Sequence, residues 1–376
     1  MTHRPPVRGT AWLALLLVLS FAASSQVADG PYLTGAEGGG WIAHWIEDTG
    51  AGPRARREPV REGDLLTISA TARVPAFEVR LRPPDPPAPD AIRTAAGTPL
   101  LVVADTHGEY DILVQLLQRQ HVIDERLRWS FGRGHLVLLG DVFDRGAHQI
   151  EILWLMYQLQ ADAAAAGGGV ELLIGNHEAM VMRGDLRYLH PRYARTAQLL
   201  GVDSYAALLD ADSLLGHWLR GRAAVLQFDD VLLVHGGISP QAVTRGLTAA
   251  RLNRAVREVL MGVADPADPE LHDFVMRSHG PLWYRGYFAL DGAPAEARRD
   301  DMDALLRHLG VNTIFVGHTK VPKVTPLHGG RVVAVQVYPE RDQDSGTVTM
   351  EAVRRDAGRW YRVAADGLRE PVTIDD

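Results

Sequence analysis

Five apolar segments of the sequence each end in residues that can bind a metal ion or move a proton. The residues concerned are Asp105 and His107 in "ADTHGE", Asp141, Asp144 and Arg145 in "GDVFDRG", Asn176, His177 and Glu178 in "GNHE", His235 in "VHGG" and His318 in "VGHT". Each motif alone is weak, because Asp, Asn or His beside glycine is common in ordinary turns. The recurrence of this ending in all five segments favours one shared functional site.

The residue types favour a site for two metal ions and a phosphate group. Carboxylate, imidazole and amide oxygen are the ligands that hard or borderline divalent metals prefer. Two such ions about 3.5–4 Å apart, bridged by a carboxylate, bind phosphate oxygens and produce hydroxide from water at neutral pH. Asp141 is the natural bridge, because its segment lies mid-sequence among the others. Arg145 suits bidentate phosphate binding, and Asp144 can orient His177 as a proton donor.

The composition excludes several other kinds of chemistry. The chain has 376 residues and no cysteine, so disulfides, thiol nucleophiles and thiolate metal sites are excluded. Hydrophobic residues make up 46% and charged residues 23%, which is typical of one large or two ordinary globular domains. The formal net charge of -7 does not indicate a nucleic-acid-binding protein.

The segments that carry the motifs alternate with helical patterns. "PLLVV", "HLVLL" and "VELLI" are typical of buried strands, and the apolar residues Ile112, Leu113, Leu116 and Leu117 have helical spacing. Strands that alternate with helices predict an α/β fold, in which sites form where the strands end and loops begin. After Gly330 the pattern becomes β-like, as in "RVVAVQVY" and "GTVTMEAV".

The first 28 residues are predicted to be a secretory signal. Arg4 and Arg8 precede an apolar run at residues 11–23, which is too short to cross a bilayer comfortably, and small residues follow. Cleavage is expected near Ser25 or Ala28, which predicts a periplasmic or secreted protein without a membrane partner. An uncleaved membrane anchor is the alternative.

Three further regions follow the signal. Residues 29–95 are predicted to be a β-rich extension that ends in the stiff linker "PPDPPAPD". Residues 96–338 form the predicted catalytic domain, and residues 339–376 a C-terminal β segment.

Taken in order, "DTHG", "GDVFDRG", "GNHE", "HGG" and "GHT" resemble the motifs of the metallophosphoesterases, and more closely those of the phosphoprotein phosphatase family. "GNHEAMVMRGDLRY" and "GPLWYRGY" are similar to its bacterial-type, Shewanella-like branch. The resemblance covers about residues 99–335. It implies the four-layer αββα calcineurin-like fold, a central β-sandwich flanked by helices, whereas periodicity alone indicates only α/β.

The resemblance also implies roles for individual residues. Asp105 and His107 would bind a first metal, Asp141 would bridge, and Asn176, His235 and His318 would bind a second metal, the two ions being Mn, Fe or Zn. His177, supported by Asp144, would protonate the leaving group, while Arg145, Arg285 in "LWYRG" and Asn176 would hold the phosphate.

The sequence departs from the family pattern in three places. "ADTHG" differs around the first ligands, "QVYPERDQDSG" replaces the usual ending of the domain, and residues 29–95 have no counterpart in the core domain. The sequence does not decide whether several nearby residues line the substrate cleft or only pack in the core. These residues are Arg187, Tyr188, Trp283 and Tyr284. His279 is not included in the predicted site.

The predicted function is a metal-dependent phosphomonoesterase, with phosphoproteins or small phosphoesters as substrates. One alternative is a dinucleoside-polyphosphate or nucleotide hydrolase, and another is an inactive binding module on the same fold. The sequence predicts neither the oligomeric state nor the preference between phosphoserine and phosphotyrosine.

Overall fold

The computed structural model describes residue 1, residues 26–290, residue 292 and residues 294–374. Most of the predicted signal, residues 2–25, therefore lies outside the described residues. The strands are β1 (Gln26–Gly35), β2 (Trp41–Asp48), β3 (Pro53–Val60), β4 (Leu65–Ile68), β5 (Phe77–Arg80), β6 (Ala91–Ile92), β7 (Leu100–Val103), β8 (His135–Leu138), β9 (Gly169–Leu172), β10 (Val225–Phe228), β11 (Val231–Val234), β12 (Thr313–Val316), β13 (Thr325–Leu327), β14 (Val332–Ala334), β15 (Glu340–Arg341), β16 (Val348–Thr349), β17 (Glu351–Asp356), β18 (Arg359–Ala364) and β19 (Arg369–Pro371).

Helices connect these strands. They are α1 (Tyr110–Arg119), α2 (Gln149–Ala165), α3 (Asn176–Met182), α4 (Pro191–Leu200), α5 (Leu214–Arg220), α6 (Pro240–Thr244), α7 (Ala249–Leu260), α8 (Pro269–Val275) and α9 (Arg299–Leu309), with a 3₁₀ helix at Tyr205–Leu209. In α1 the apolar residues with helical spacing are buried, as the sequence predicts.

Two six-stranded sheets form the centre of the fold, in the orders β13-β14-β12-β11-β10-β6 and β19-β18-β17-β7-β8-β9. Residues that alternate along the strands, such as Val102, Val137, Leu233 and Phe315, form one apolar core between the sheets. The alternate set, such as Val103, packs with the helices in a second core. The predicted α/β class and the β-sandwich flanked by helices are both confirmed.

The N-terminal region packs against the helices of the central domain. Strands β1, β2 and β3 form one sheet, and β4 pairs with β5. The indole nitrogen of Trp154 in α2 donates to the backbone oxygen of Pro31 over 3.0 Å. Helix α2 is buried over most of its surface because it lies between the central sheets and this region. Strand β6 then pairs with β10 and extends the central sheet.

A buried group of charges joins the N-terminal region to the central domain. We call Asp29, Glu151 and Arg192 the junction cluster. Arg192 of α4 donates to Asp29 and to Glu151, each over 2.8 Å. It also donates to the backbone oxygen of Ala147 over 2.7 Å, and Ala147 follows the "GDVFDRG" motif directly. The cluster therefore fixes the end of that loop.

The C-terminal strands complete the second sheet. Strand β17 pairs with β7 in antiparallel fashion, and β18 and β19 follow at the edge. Strand β7 is therefore an interior strand, between β8 and β17. In the part of the chain that the structure describes, no helix combines the length and the apolar character needed to cross a membrane.

Candidate metal centre

The predicted site residues come together at one end of the two central sheets. Asp105 and His107 follow β7, Asp141 follows β8, and His235 and His318 follow β11 and β12. Asn176 and His177 begin α3, which follows β9. The carboxyl ends of parallel neighbouring strands meet at the same edge of a sheet, which brings residues far apart in sequence into contact.

The loops that carry these residues have unusual backbone conformations. His107, Asp141, Asp144, Arg145 and His318 all have positive φ angles, between 43° and 68°. Side chains other than glycine seldom adopt this left-handed region, and such strain is concentrated at functional sites. Close packing requires glycine at the end of "DRG", because a Cβ at Gly146 would clash with the backbone oxygen of His107.

Asp141 lies between two groups of possible metal ligands. His107, Asp141 and His177 form one buried group, and Asp141, His235 and His318 form another, each with ligand atoms within 4.8 Å of one another. In the first group, Nδ1 of His107 faces the backbone oxygen of Phe143 at 2.9 Å, so it must donate. Nε2 of His107 is then free to bind a cation, as the neutral imidazole of a ligand must be.

In the second group, several lone pairs converge on one position. Nδ1 of His235 lies 3.0 Å from the backbone oxygen of Leu139, which leaves Nε2 of His235 as the inward-facing atom. That Nε2 lies 2.9 Å from Oδ1 of Asn176, 3.1 Å from Nδ1 of His318 and 3.2 Å from Oδ2 of Asp141. Nε2 of His318 is buried without a hydrogen-bond partner. This donor set fits a divalent metal ion.

The charges in the cluster perturb one another strongly. Burial alone would raise the pKa of Asp141, but the charges of His235, His177 and His107 lower it below its usual range. Burial raises the pKa of Asp105 to about 6. Burial would lower the pKa of His235, yet the charges of Asp141 and Asp105 raise it to about 9. In the metal-free protein, a proton on His235 therefore offsets part of the buried negative charge.

Glu178 holds the loop that carries Asp141. Its carboxylate accepts the backbone N–H groups of Asp141 and Val142 at 2.7 Å each and of Gly175 at 2.8 Å. The sequence places Glu178 beside the ligands but assigns it no role. A motif shows only that a carboxylate is near, and not which peptide groups turn towards it.

His177 and Asp144 form a pair of the kind that the sequence predicts. Nδ1 of His177 lies 2.5 Å from Oδ2 of Asp144, and the ring packs at 5.6 Å from the ring of Tyr188. Burial would lower the pKa of His177, but its hydrogen bond to Asp144 and the charge of Asp141 raise it. The protonated ring can therefore donate a proton from Nε2, which faces the metal ligands.

A cavity of about 600 Å³ opens over these groups. Besides the metal ligands, its lining includes Arg145, Met180, Asp185, Arg187, Tyr188, Trp283, Arg285, Leu290, Thr319 and Lys320. A cavity of about 670 Å³ lies at the opposite ends of β11 and β12, where Arg355 pairs with Asp229. Only the first of these two cavities contains the candidate metal ligands.

The cavity settles the position of the residues that the sequence left open. Arg187, Tyr188 and Trp283 line it, whereas Tyr284 does not line it and is only 1% exposed. His279 faces Glu296 and the ring of Tyr284. Lys320 is not among the site residues that the sequence predicts. Its position directly after "GHT" nevertheless indicates that it lies near the ligands.

Comparison with known proteins agrees with this geometry. The profile of the calcineurin-like phosphoesterase family matches residues 98–322. The cold-active protein-tyrosine phosphatase of a psychrophilic Shewanella species is 35% identical in sequence, and its crystal structure matches with a TM-score of 0.79 over 92% of this chain and 99% of that chain. Shewanella-like protein phosphatase 2 of Arabidopsis thaliana is 25% identical over 311 residues, which are 69% of this chain and 76% of the relative.

A shorter match points to a different enzyme. The symmetrical bis(5'-nucleosyl)-tetraphosphatase of Cronobacter sakazakii is 32% identical over 146 residues, which are 37% of this chain and 43% of the relative. The match to the Shewanella structure is longer than residues 96–376, so it includes part of the N-terminal region. The resemblance predicted from the motifs is confirmed, and the chain belongs to the calcineurin-like phosphoesterase family, where it groups with the Shewanella-like protein phosphatases.

Proposed function

We propose that this metal-dependent phosphatase hydrolyses phosphotyrosine residues of proteins. The observation that carries the proposal is the match to the Shewanella protein-tyrosine phosphatase, because it spans nearly the whole of both chains. The rim of the cavity supports it, since Tyr188 and Leu290 are exposed apolar residues beside the metal centre. An aromatic phosphoester would cover such surface when it binds.

The metal ligands divide into two sets that share Asp141. Asp105, His107 and Asp141 would hold one divalent ion, while Asp141, Asn176, His235 and His318 would hold the other. We propose Mn, Fe or Zn, which carboxylate, imidazole and amide ligands all suit. When bound, the two ions neutralise phosphate oxygens and lower the pKa of water, so that it becomes a nucleophile at neutral pH.

The remaining side chains orient the phosphate and supply a proton. Arg145, Arg285 and Asn176 would bind the phosphate oxygens, because two of these side chains are cationic and all three line the cavity. His177 would donate the proton on Nε2 to the leaving phenolate oxygen, and Asp144 keeps the ring oriented and charged. Because the chain has no cysteine, we propose direct hydrolysis without a phosphorylated thiol intermediate.

We also propose that the protein is periplasmic or secreted. The support is the basic and apolar pattern of residues 1–28. Strand β1 begins at Gln26, so cleavage near Ser25 would leave this strand intact, whereas cleavage after Ala28 would remove its first residues.

A substrate panel with and without metal tests the proposal. The purified protein would be treated with a chelator, resupplied with Mn²⁺ and given p-nitrophenyl phosphate, a phosphotyrosine peptide, a phosphoserine peptide and diadenosine tetraphosphate. We expect metal-dependent hydrolysis with the highest kcat/KM on the phosphotyrosine peptide. Faster hydrolysis of diadenosine tetraphosphate would instead support the nucleotide hydrolase that the shorter match suggests.

The proton donor has a separate test in His177→Asn. Loss of a general acid costs about 10²- to 10⁴-fold, and most where the leaving group is poor. We therefore expect a larger loss with phenyl phosphate than with p-nitrophenyl phosphate. Equal losses with both substrates would contradict the role of His177 as the proton donor.

A further inference from the structure

We infer that Lys320 is a specificity-determining residue, which binds an acidic side chain next to the phosphotyrosine of a peptide substrate. The inference rests on the proposed function and concerns the same cavity.

The cavity contains more positive charge than one phosphate group requires. Of its four cationic side chains, Arg187 is paired with Asp185, at 2.9 and 2.7 Å. Among the described residues, Arg145, Arg285 and Lys320 form no ion pair with a carboxylate. Arg145 and Arg285 suffice to bind a single phosphate beside two metal ions, since each guanidinium can make two parallel hydrogen bonds. Lys320 is therefore available to a second anionic group.

An aromatic ring holds Lys320 in position. Nζ of Lys320 lies 3.9 Å from the ring centroid of Tyr338, and Cζ of Arg145 lies 5.7 Å from the same centroid. The ring of Tyr338 also lies 5.9 Å from that of His107. A cation over an aromatic face is attracted to it, which limits the freedom of the long lysine side chain. Tyr338 thus places the ammonium beside the phosphate-binding arginine and the metal ligands.

The surroundings of Lys320 favour a peptide as the source of the second anion. Lys320 itself is exposed, and it lies at the mouth of the cavity rather than among the buried ligands. The same rim carries Tyr188 and Leu290, which are 52% and 38% exposed. Mixed apolar and cationic surface matches a peptide in which an acidic residue adjoins an aromatic phosphoresidue. A second phosphate of a nucleotide is the competing source.

Two peptides that differ at one position test the inference. Both contain phosphotyrosine, and the residue beside it is Asp in one and Asn in the other. Because an exposed ion pair is weak, we expect the wild-type protein with Mn²⁺ to prefer the Asp peptide by about three- to fivefold in kcat/KM. The preference should be lost in Lys320→Met, be largely kept in Lys320→Arg, and shrink in 1 M salt.

The chain supplies a matched control in Lys323, its only other lysine, which is exposed and does not line the cavity. Lys323→Met should keep the wild-type preference. If the wild-type protein hydrolyses both peptides equally, or if Lys320→Met keeps the preference, the inference about Lys320 is wrong while the proposed function stands. If Lys320→Met changes only the hydrolysis of diadenosine tetraphosphate, the second anion is a phosphate and the peptide assignment is overturned.

A failure of the proposed function gives a different result. The wild-type protein would then hydrolyse p-nitrophenyl phosphate with Mn²⁺ but neither peptide, and the inference would be withdrawn with it. Thermal unfolding of each variant shows whether it is folded, which we expect because both lysines are exposed.

Discussion

The junction cluster and the metal centre are both buried clusters of charged residues, but they differ in the cations that offset their carboxylates. In the junction cluster, the carboxylates of Asp29 and Glu151 share the guanidinium of Arg192, and the protein supplies all three charges. In the metal centre, Asp105 and Asp141 face a group of histidines, and in the part of the chain that the structure describes Nε2 of His318 is buried without a hydrogen-bond partner. Both carboxylates of the first cluster are paired with a cation of the chain, whereas the second cluster would gain its cations when metal ions bind.

This difference suggests a role in stability for the junction cluster and a role in function for the metal centre. Removal of the guanidinium that two buried carboxylates share costs several kcal/mol, so loss of Arg192 should weaken the attachment of the N-terminal region. The metal centre leaves negative charge under-compensated, which gives it affinity for cations. We therefore expect changes in one cluster to affect stability and changes in the other to affect metal binding and catalysis.

The largest expected effect comes from Asp141→Asn. This change removes the carboxylate that both groups of ligands share, and kcat/KM for p-nitrophenyl phosphate should fall by about 10³-fold or more. The metal-free variant should still fold, because Asn can accept the backbone N–H of His177 that Asp141 accepts at 3.0 Å. Asp344→Asn, at an exposed position, is the control. More than a tenth of wild-type activity at saturating Mn²⁺ would contradict the shared-ligand assignment.

The grouping of the site residues could be predicted from the sequence, because the motifs that carry them directly follow buried apolar segments such as "HLVLL". The two-sheet arrangement could not be derived from periodicity. Strands β7, β11 and β12 are buried along their whole length, so their sequences carry no alternation that separates the inner face from the outer one.

Other features depend on contacts between distant residues. The link from Asp29 to Arg192 joins positions 163 residues apart, and "VADGPY" gives no sign that this aspartate is buried. The antiparallel pairing of β17 with β7 is equally remote. Lys320 and Tyr338 are near each other only because the loops after β12 and β14 fold over the same side of the metal centre.

The second largest effect is expected on stability, from Arg192→Met. Asp29 and Glu151 would then be left buried without their cation, and the free energy of unfolding should fall by about 3–5 kcal/mol. Urea denaturation measures this, and Arg195→Met on the exposed face of the same helix should change it by less than about 0.5 kcal/mol. Equal stability of the two variants would mean that the junction cluster does not attach the N-terminal region.

A smaller effect is expected when metal is removed. Ligand present at about 100 times its Kd stabilises a protein by roughly 2.7 kcal/mol, so chelation should lower the thermal midpoint by about 3–6 °C. Calorimetry before and after addition of Mn²⁺ gives this shift. Asp141→Asn should lose most of the shift while Arg192→Met keeps it, and the reverse pattern would invalidate the comparison of the two clusters.

The smallest effect is expected from Glu171, a largely buried carboxyl whose negative charge is only partly offset by a neighbouring arginine. Glu171 lies 3.8 Å from Arg222, and burial raises its pKa from 4.5 to about 7. A carboxyl whose pKa is raised on folding contributes stability at low pH that is lost as the pH rises through 7. Glu171→Gln should therefore remove on the order of 1–2 kcal/mol of this pH dependence between pH 5 and pH 8.

Chemical denaturation at several pH values measures the change. Glu125→Gln, at an exposed position, serves as its control. If Glu171→Gln shows the same pH profile as the control, the charge of Glu171 is fully compensated by Arg222.

The interior position of β7 has a consequence for the order in which the molecule folds. The strand that covers its open side is β17, and the nearby hydrogen bond from Gln115 to the backbone oxygen of Ala365 spans 250 residues of chain. Contacts between distant residues form more slowly than local ones, so β7, β8 and β9 can pair while one edge of β7 is still bare. A bare edge strand recruits strands from other chains. Truncation before β17 should therefore produce aggregates during refolding, rather than a soluble enzyme that lacks only its tail.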